Sequence, residues 1–206
     1  MSINENDYKI LKKKFGDVSS WAYWKEPNDK KPMSNISDLT IFDAPNIWNK
    51  LGTSYVFVGL NAAEHKQENV DDWRNFHSEY RWQKDFKLRY ALMNDDRFLG
   101  SYISDIIKKY PETDGRKVIR AVKNREINLQ THVDLLNEEL ILLGKKEDIT
   151  LIVMGDYAFD ILSMTSLAKE YSGRIIKIPH YATCNKGVNC KEGYRDRVQE
   201  ILKFCK

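Results

Sequence analysis

The feature that most narrows the folds open to this chain is a recurring pattern of short apolar runs. Each run stops at a glycine or a polar residue, and each is followed by a stretch of helical periodicity. Tyr55 to Val58, inside TSYVFVGLNAAEHKQ, is apolar, β-branched and aromatic, and Gly59 closes it. A continuous run without polar alternation is what a strand buried on both faces of a parallel sheet requires. FLGSYISDII holds a second strand at its centre, ending on Asp105. DITLIVMG is a third, ending at Gly155, and GRIIKIPH a fourth. Between them, Gln83 to Met93 is compatible with a helix, with Phe86, Leu88, Tyr90, Ala91 and Leu92 apolar. Ile127 to Leu143 places Leu129, Val133, Leu136, Leu140 and Leu143 at helical spacing. Asp156 to Leu162 predicts a further helix, and Glu192 to Cys205 a closing one carrying Val198, Ile201, Leu202 and Phe204.

Strands alternating with helices predict an α/β sandwich around a mostly parallel four-stranded sheet. A chain of 206 residues with 42% hydrophobic content fills one core. The expectation is therefore a single domain over 1–206, with 1–50 as a helical and loop extension packed on it. In that extension Asp7 to Phe15 reads as a short amphipathic helix. Gly16 to Pro32, broken by Pro27, Asn28, Asp29 and Pro32, reads as a loop. Its Trp21, Tyr23 and Trp24 either pin the loop to the core or stack on bases. In such folds ligands bind outside the carboxyl ends of the strands. The residues to interrogate are thus Leu60, Asn61, Ala62 and Ala63, then Asp105, then Gly155 and Asp156, then His180 and Tyr181.

Charge adds a partner class. The formal net charge is only +3, but Lys108 to Arg125 carries +5 and Lys169 to Lys206 another +5, leaving −7 for the rest. Clustered positive charge suits a polyanion, and solvated basic helix faces give the same counts. Three cysteines, an odd and small number, fit a reducing compartment. The opening MSINENDYKILKKK has no apolar core of a signal peptide, and no stretch reaches transmembrane length. A cytoplasmic protein, monomeric and not bound to membrane, is expected.

Taken in order, four pieces resemble the uracil-DNA glycosylase superfamily: VFVGLNAA, GSYISDIIKKYP, LLNEELILLGKKEDITLIVMGDYAFDIL and IIKIPHYA. The resemblance covers roughly Ser54 to Lys206. It implies a three-layer αβα fold and hydrolysis of the bond between a flipped base and its sugar, with DNA as partner. Asn61, after Gly59 and Leu60 at the base-binding turn, falls where the family directs the attacking water. Where the mismatch-specific branch has Gly-Ile-Asn-Pro-Gly, this chain keeps the asparagine and lacks the proline and second glycine. An amide orients water but is a poor general base, so a slow enzyme is expected. Phe76 is the candidate to stack on the base, with Trp73, Tyr80 and Trp82 as competitors for that role. His77 beside it is a candidate phosphate contact. Asp105 stands where the family often has a base-reading asparagine. An ionised carboxylate only accepts hydrogen bonds, so it suits a base presenting donors, unless a dry pocket raises its pKa and protonates it so that it imitates asparagine, a shift that Lys108 and Lys109 oppose if they lie close. His180 falls where the family stabilises the leaving base. Tyr181 is placed to fill the space left by a flipped base. Lys108 and Lys186, with Arg195 and Arg197, are candidates to hold phosphates.

Plainer readings stand beside each of these. Asn61 is a common turn residue after a strand. Asp105 precedes Ile106, Ile107 and Lys108 as a helix N-cap would. Phe76 fits a core, and His77 and the basic residues fit a solvated surface. The three cysteines cannot hold the four-cysteine iron–sulfur cluster of some glycosylase branches. His180, Cys184 and Cys190 offer zinc no convincing fourth ligand, so no metal or cofactor is expected. A module that binds nucleic acid without chemistry, and an enzyme of the same fold acting on free nucleosides or nucleotides, remain alternatives.

Overall fold

The computed structural model describes residues 1–25, 37–62, 72–78, 80, 83–183, 185 and 187–205. Five strands form one sheet: β1 (Ser20–Trp21), β2 (Gly52–Asn61), β3 (Ser101–Ile107), β4 (Thr150–Met154) and β5 (Ile175–Ile178). They lie side by side in the order β1-β3-β2-β4-β5. The last four run parallel, and β1 pairs antiparallel with β3 through Ser20 opposite Ile103 and Trp21 opposite Tyr102. The sheet therefore has one strand more than the four expected. The extra one is two residues at the edge, too short to leave a periodicity, and it lies in the segment read as a loop.

Seven α-helices lie among the described residues: α1 (Glu5–Phe15), α2 (Asp85–Leu92), α3 (Gly115–Lys123), α4 (Leu129–Leu143), α5 (Asp156–Ser163), α6 (Ser166–Glu170) and α7 (Lys191–Leu202). Strand alternation sends side chains to both faces, and helices cover both. Val56, Val58, Tyr102, Ile106, Leu151 and Val153 face a core shared with α1, α3, α4, α5 and α6. Tyr55, Phe57, Ile103, Ile152, Met154 and Ile178 face a second core shared with α2 and α7. This division explains why the strands read as continuous apolar runs. The segment 1–25 belongs to the first core through Leu11, Phe15 and Trp21.

Two boundaries differ from the sequence expectation in ways that bear on function. β2 does not stop at Gly59 but continues to Asn61, and β3 passes through Asp105 to Ile107. Asp105 is thus a strand residue directly opposite Gly59, and its reading as a helix N-cap is corrected. The basic segment after β3 holds the unforeseen α3. Asp114 caps this helix by accepting from the Arg116 N–H at 3.0 Å, and Val118, Ala121 and Val122 face inward.

The face under α4 carries a buried polar cluster. Glu139 is fully buried and accepts from Tyr102 Oη at 2.8 Å and Ser104 Oγ at 2.9 Å, and it pairs with Lys108. Among the described residues no helix is long and apolar enough to cross a membrane.

Candidate functional site

The parallel strands reverse their order of connection at β2: the chain passes from β2 to β3 on one side, then crosses to β4 on the other. A crevice opens at such a switch point beyond the strands' carboxyl ends. Here it is a cleft of about 900 Å³. Leu60 and Asn61 enter it from β2, Met154 and Gly155 from β4, and His180 and Tyr181 from the turn after β5. Asn75 and Phe76 come from the loop before α2, and Asp85 from the first turn of α2.

Asn61 is held by its amide nitrogen. Nδ2 lies 2.9 Å from the Ala62 carbonyl, 2.9 Å from that of Tyr110 and 2.8 Å from that of Glu112. Three acceptors around one end of the amide fix which end is nitrogen. The oxygen, Oδ1, keeps no partner among the described residues and is left to the cleft.

The loop carrying Asn75 and Phe76 is fastened by aromatic packing. Trp73 is buried edge-on against Trp21, with ring centroids 5.9 Å apart, its indole N–H donates to Tyr8 Oη at 3.1 Å, and its backbone N–H donates to the Gly16 carbonyl at 2.6 Å. Trp73 (φ 68°) and Phe76 (φ 63°) both adopt the left-handed region, which bulky residues avoid unless their surroundings impose it. Ser20 Oγ donates to the Trp73 carbonyl at 2.8 Å, and Trp24 Nε1 to the Phe76 carbonyl at 3.3 Å. Phe76 then meets Tyr181 edge to face at 6.3 Å. Asn75 donates through Nδ2 to the Val18 carbonyl at 2.9 Å and to Asp105 Oδ2 at 3.0 Å. Its amide orientation is fixed by the same reasoning, and its Oδ1 likewise has no partner among the described residues.

His180 stacks on Tyr181 with ring centroids 4.4 Å apart. Its Nδ1 accepts the Ala182 N–H at 3.1 Å. Burial first, and then the Lys87 ammonium, push its pKa down to about 4. Neutral at pH 7 with Nδ1 accepting, the ring carries its proton on Nε2 and offers one donor. Gly155 makes room for it: at φ 92°, a Cβ there would lie 2.9 Å from His180 Cβ.

Asp105 sits just beneath the cleft, only 4% exposed. Its carboxyl lies across the backbone of Gly59, where a Cβ would come within 2.2 Å of Oδ1. Gly59 thus serves Asp105 by lacking a side chain. Burial raises the Asp105 pKa to about 6, against the Asn75 hydrogen bond and the Lys108 charge that lower it. Asp85, which the sequence analysis did not single out, is likewise 4% exposed and raised by burial to about 6. Its Oδ2 accepts the Ser78 N–H at 2.9 Å. It sat unnoticed in a segment read as an ordinary helix. No periodicity marks it, because Asp85, Lys87 and Arg89 are all buried although they do not share one face of α2.

The structure brings Asn61, Phe76, His180 and Tyr181 together, with Leu60 beside Asn61 at the end of β2, Gly59 within the strand opposite Asp105, and Asp105 behind Asn75. It does not bring His77 or Lys108. His77 is fully buried, stacked on Trp24 at 5.4 Å, with Nε2 3.1 Å from the Tyr23 carbonyl. Desolvation in that position pushes its pKa down to about 4. Lys108 is 4% exposed and paired with Glu139 on the opposite face of the sheet. Neither reaches a phosphate, which corrects both expectations. Tyr181 is packed into the wall between His180 and Phe76 rather than projecting. Trp73 and Tyr80 are off the cleft lining. Ala63, Trp82, Cys184 and Lys186 lie outside the described residues. Many described cations of the basic segments pair with neighbouring acids: Lys109 with Asp17, Lys117 with Glu112, Lys177 with Asp156, Arg195 with Asp196.

No protein-family model, curated protein or solved structure matches this chain.

Proposed function

We propose that the protein hydrolyses the N-glycosidic bond of a damaged, mismatched or modified base turned out of DNA into this cleft. One observation carries the reading: Asn61 and His180 line the same cleft, each with one polar atom tied to backbone and the other without a partner among the described residues. Asn61 Oδ1 is an acceptor for a water hydrogen, and His180 Nε2–H is a donor for the departing base. Water adds to the sugar's anomeric carbon as the bond to the base breaks, and the electron pair leaves on the base. The neutral imidazole steadies that charge, and a proton from the water ends on the base. The Phe76 and Tyr181 rings supply stacking surface. Asn61 orients water without accepting its proton at neutral pH, so turnover is slow. On this reading the architecture is a three-layer αβα sandwich of the uracil-DNA glycosylase kind, in a cytoplasmic monomer.

A second reading is favoured by the surface cations that pair with neighbouring acids, Lys109, Lys117, Lys177 and Arg195 among them, which reduces the positive charge free to meet a long polyanion. It keeps the same cleft and chemistry and takes a free nucleoside or nucleotide. One experiment serves both: release of free base from oligonucleotides, each carrying one modified base, and from the matching nucleosides. Base release by the wild type is expected, with a loss of about a hundredfold in Asn61→Ala and in His180→Ala. No release from any substrate, or unchanged rates in both variants, refutes the reading.

A further inference from the structure

We infer that the cleft selects an amino-substituted base, one presenting an exocyclic N–H₂, and that Asp85 and Asn75 are the residues that read it. The inference rests on the proposal that the ligand is a nucleobase. It corrects the sequence expectation in one respect: the reading carboxylate that lines the cleft is Asp85, while Asp105 stands behind Asn75 and sets it.

Three observations combine. Asp85 lines the cleft and is 4% exposed, and its Oδ2 is occupied by the Ser78 N–H at 2.9 Å. Its Oδ1 has no hydrogen-bond partner among the described residues, so a group more than nine-tenths buried points an unmatched acceptor at the cleft. Asn75, 9% exposed, spends both N–H groups on the Val18 carbonyl and Asp105 Oδ2. Asp105 therefore forces Asn75 to show the cleft its carbonyl oxygen. Both carboxylates also lie close enough to Tyr181 to raise its pKa, after burial, which places them around the same aromatic wall.

The floor thus offers acceptors where an asparagine free to turn would offer one donor and one acceptor. A buried acceptor left unmatched, or set against another acceptor, is costly. An exocyclic amine brings two N–H donors and satisfies two acceptors together. A carbonyl at the same ring position would face the carboxylate. Cytosine-type and adenine-type bases fit, and their oxo counterparts do not.

The test uses matched pairs that differ by one amine exchanged for one carbonyl: deoxycytidine with deoxyuridine, and deoxyadenosine with deoxyinosine. Binding is measured by calorimetry on the full chain, and base release is followed separately on oligonucleotides carrying each base. At least one amine member is expected to bind tenfold or more tighter than its partner, about the discrimination one mismatched buried hydrogen bond gives. Asp85→Asn keeps a carbonyl for the Ser78 N–H and turns an amide N–H₂ toward the cleft, so the preference should reverse. Equal or tighter binding of the oxo members by the wild type overturns the inference, as does failure of every nucleoside to bind. A folded Asp85→Asn protein with an unchanged ratio overturns it too. If that variant does not fold, the wild-type ranking decides. Amine preference without any base release leaves the inference standing and refutes hydrolysis. Release of oxo bases alone does the reverse.

Discussion

Replacing Asp105 with asparagine isolates what the burial of this carboxyl costs. The Asn side chain has nearly the same shape, and its carbonyl can take the Asn75 Nδ2 hydrogen bond that Oδ2 now accepts at 3.0 Å. In the folded protein burial lifts the Asp105 pKa from 3.8 to about 6. Above pH 6 the folded state must hold a charge that the unfolded chain holds in water. Well below pH 3.8 both states are protonated and no such cost remains. Between those limits the folded state binds more protons than the unfolded one, so this group's contribution to stability falls as pH rises. A gap of about two pH units, at about 1.4 kcal/mol each, amounts to about 3 kcal/mol. Any constant cost of the substitution, such as an amide N–H₂ left over Gly59, is the same at every pH and cancels. Urea unfolding of both proteins at about pH 4 and about pH 7.5 reads the difference directly. The Asp105→Asn protein should gain about 2 kcal/mol on the wild type between the two conditions, the part of the gap that develops above pH 4. A stability gap that stays constant with pH, or one that moves toward the wild type, would mean that Asn75 and Lys108 stabilise the ionised carboxylate more than burial opposes it.

Gly59→Ala should cost about 1–3 kcal/mol by overpacking, since its Cβ would meet Asp105 Oδ1 at 2.2 Å. Thermal unfolding should show most of that cost vanish in an Asp105→Ala background, and an equal cost in both backgrounds would refute the contact. Gly155→Ala combines φ 92° with a Cβ 2.9 Å from His180 Cβ. It should destabilise by about 1–3 kcal/mol and lower base release along with it. Lys108→Met leaves Glu139 charged and buried, a loss of about 3–5 kcal/mol in chemical denaturation. Adding Glu139→Gln to that variant should recover part of it.

Strands β2, β4 and β5, and helices α4 and α7, were legible because their core faces are continuous apolar patterns that no distant residue needs to complete. The course of β3 was not. An aspartate in a strand reads as its end, and what lets the strand run on to Ile107 is a bare Gly59 on the neighbouring strand and an amide from Asn75, thirty residues upstream. The same limit applies to the site. Asn61 and His180 were found because strand ends in an α/β sheet converge whatever their sequence separation. Asp85 was missed because its burial comes from α7 packing over α2, and periodicity within α2 says nothing of that. His77 and Lys108 were misplaced for the complementary reason. Each looks like a surface cation in sequence, and each is sealed in by partners, Tyr23 and Trp24 for one and Glu139 for the other, that only the fold supplies.

The brevity of the outer strands also governs how the molecule meets its own copies. A long, open β-edge is a template on which another chain can extend the sheet. Here one border is a strand of two residues, and the other is a strand of four that carries Lys177 and is followed at once by Pro179. The first offers almost no backbone to pair with. The second sets a charge within it and, past its end, a residue with no amide hydrogen to give, so neither border invites lateral growth into fibres.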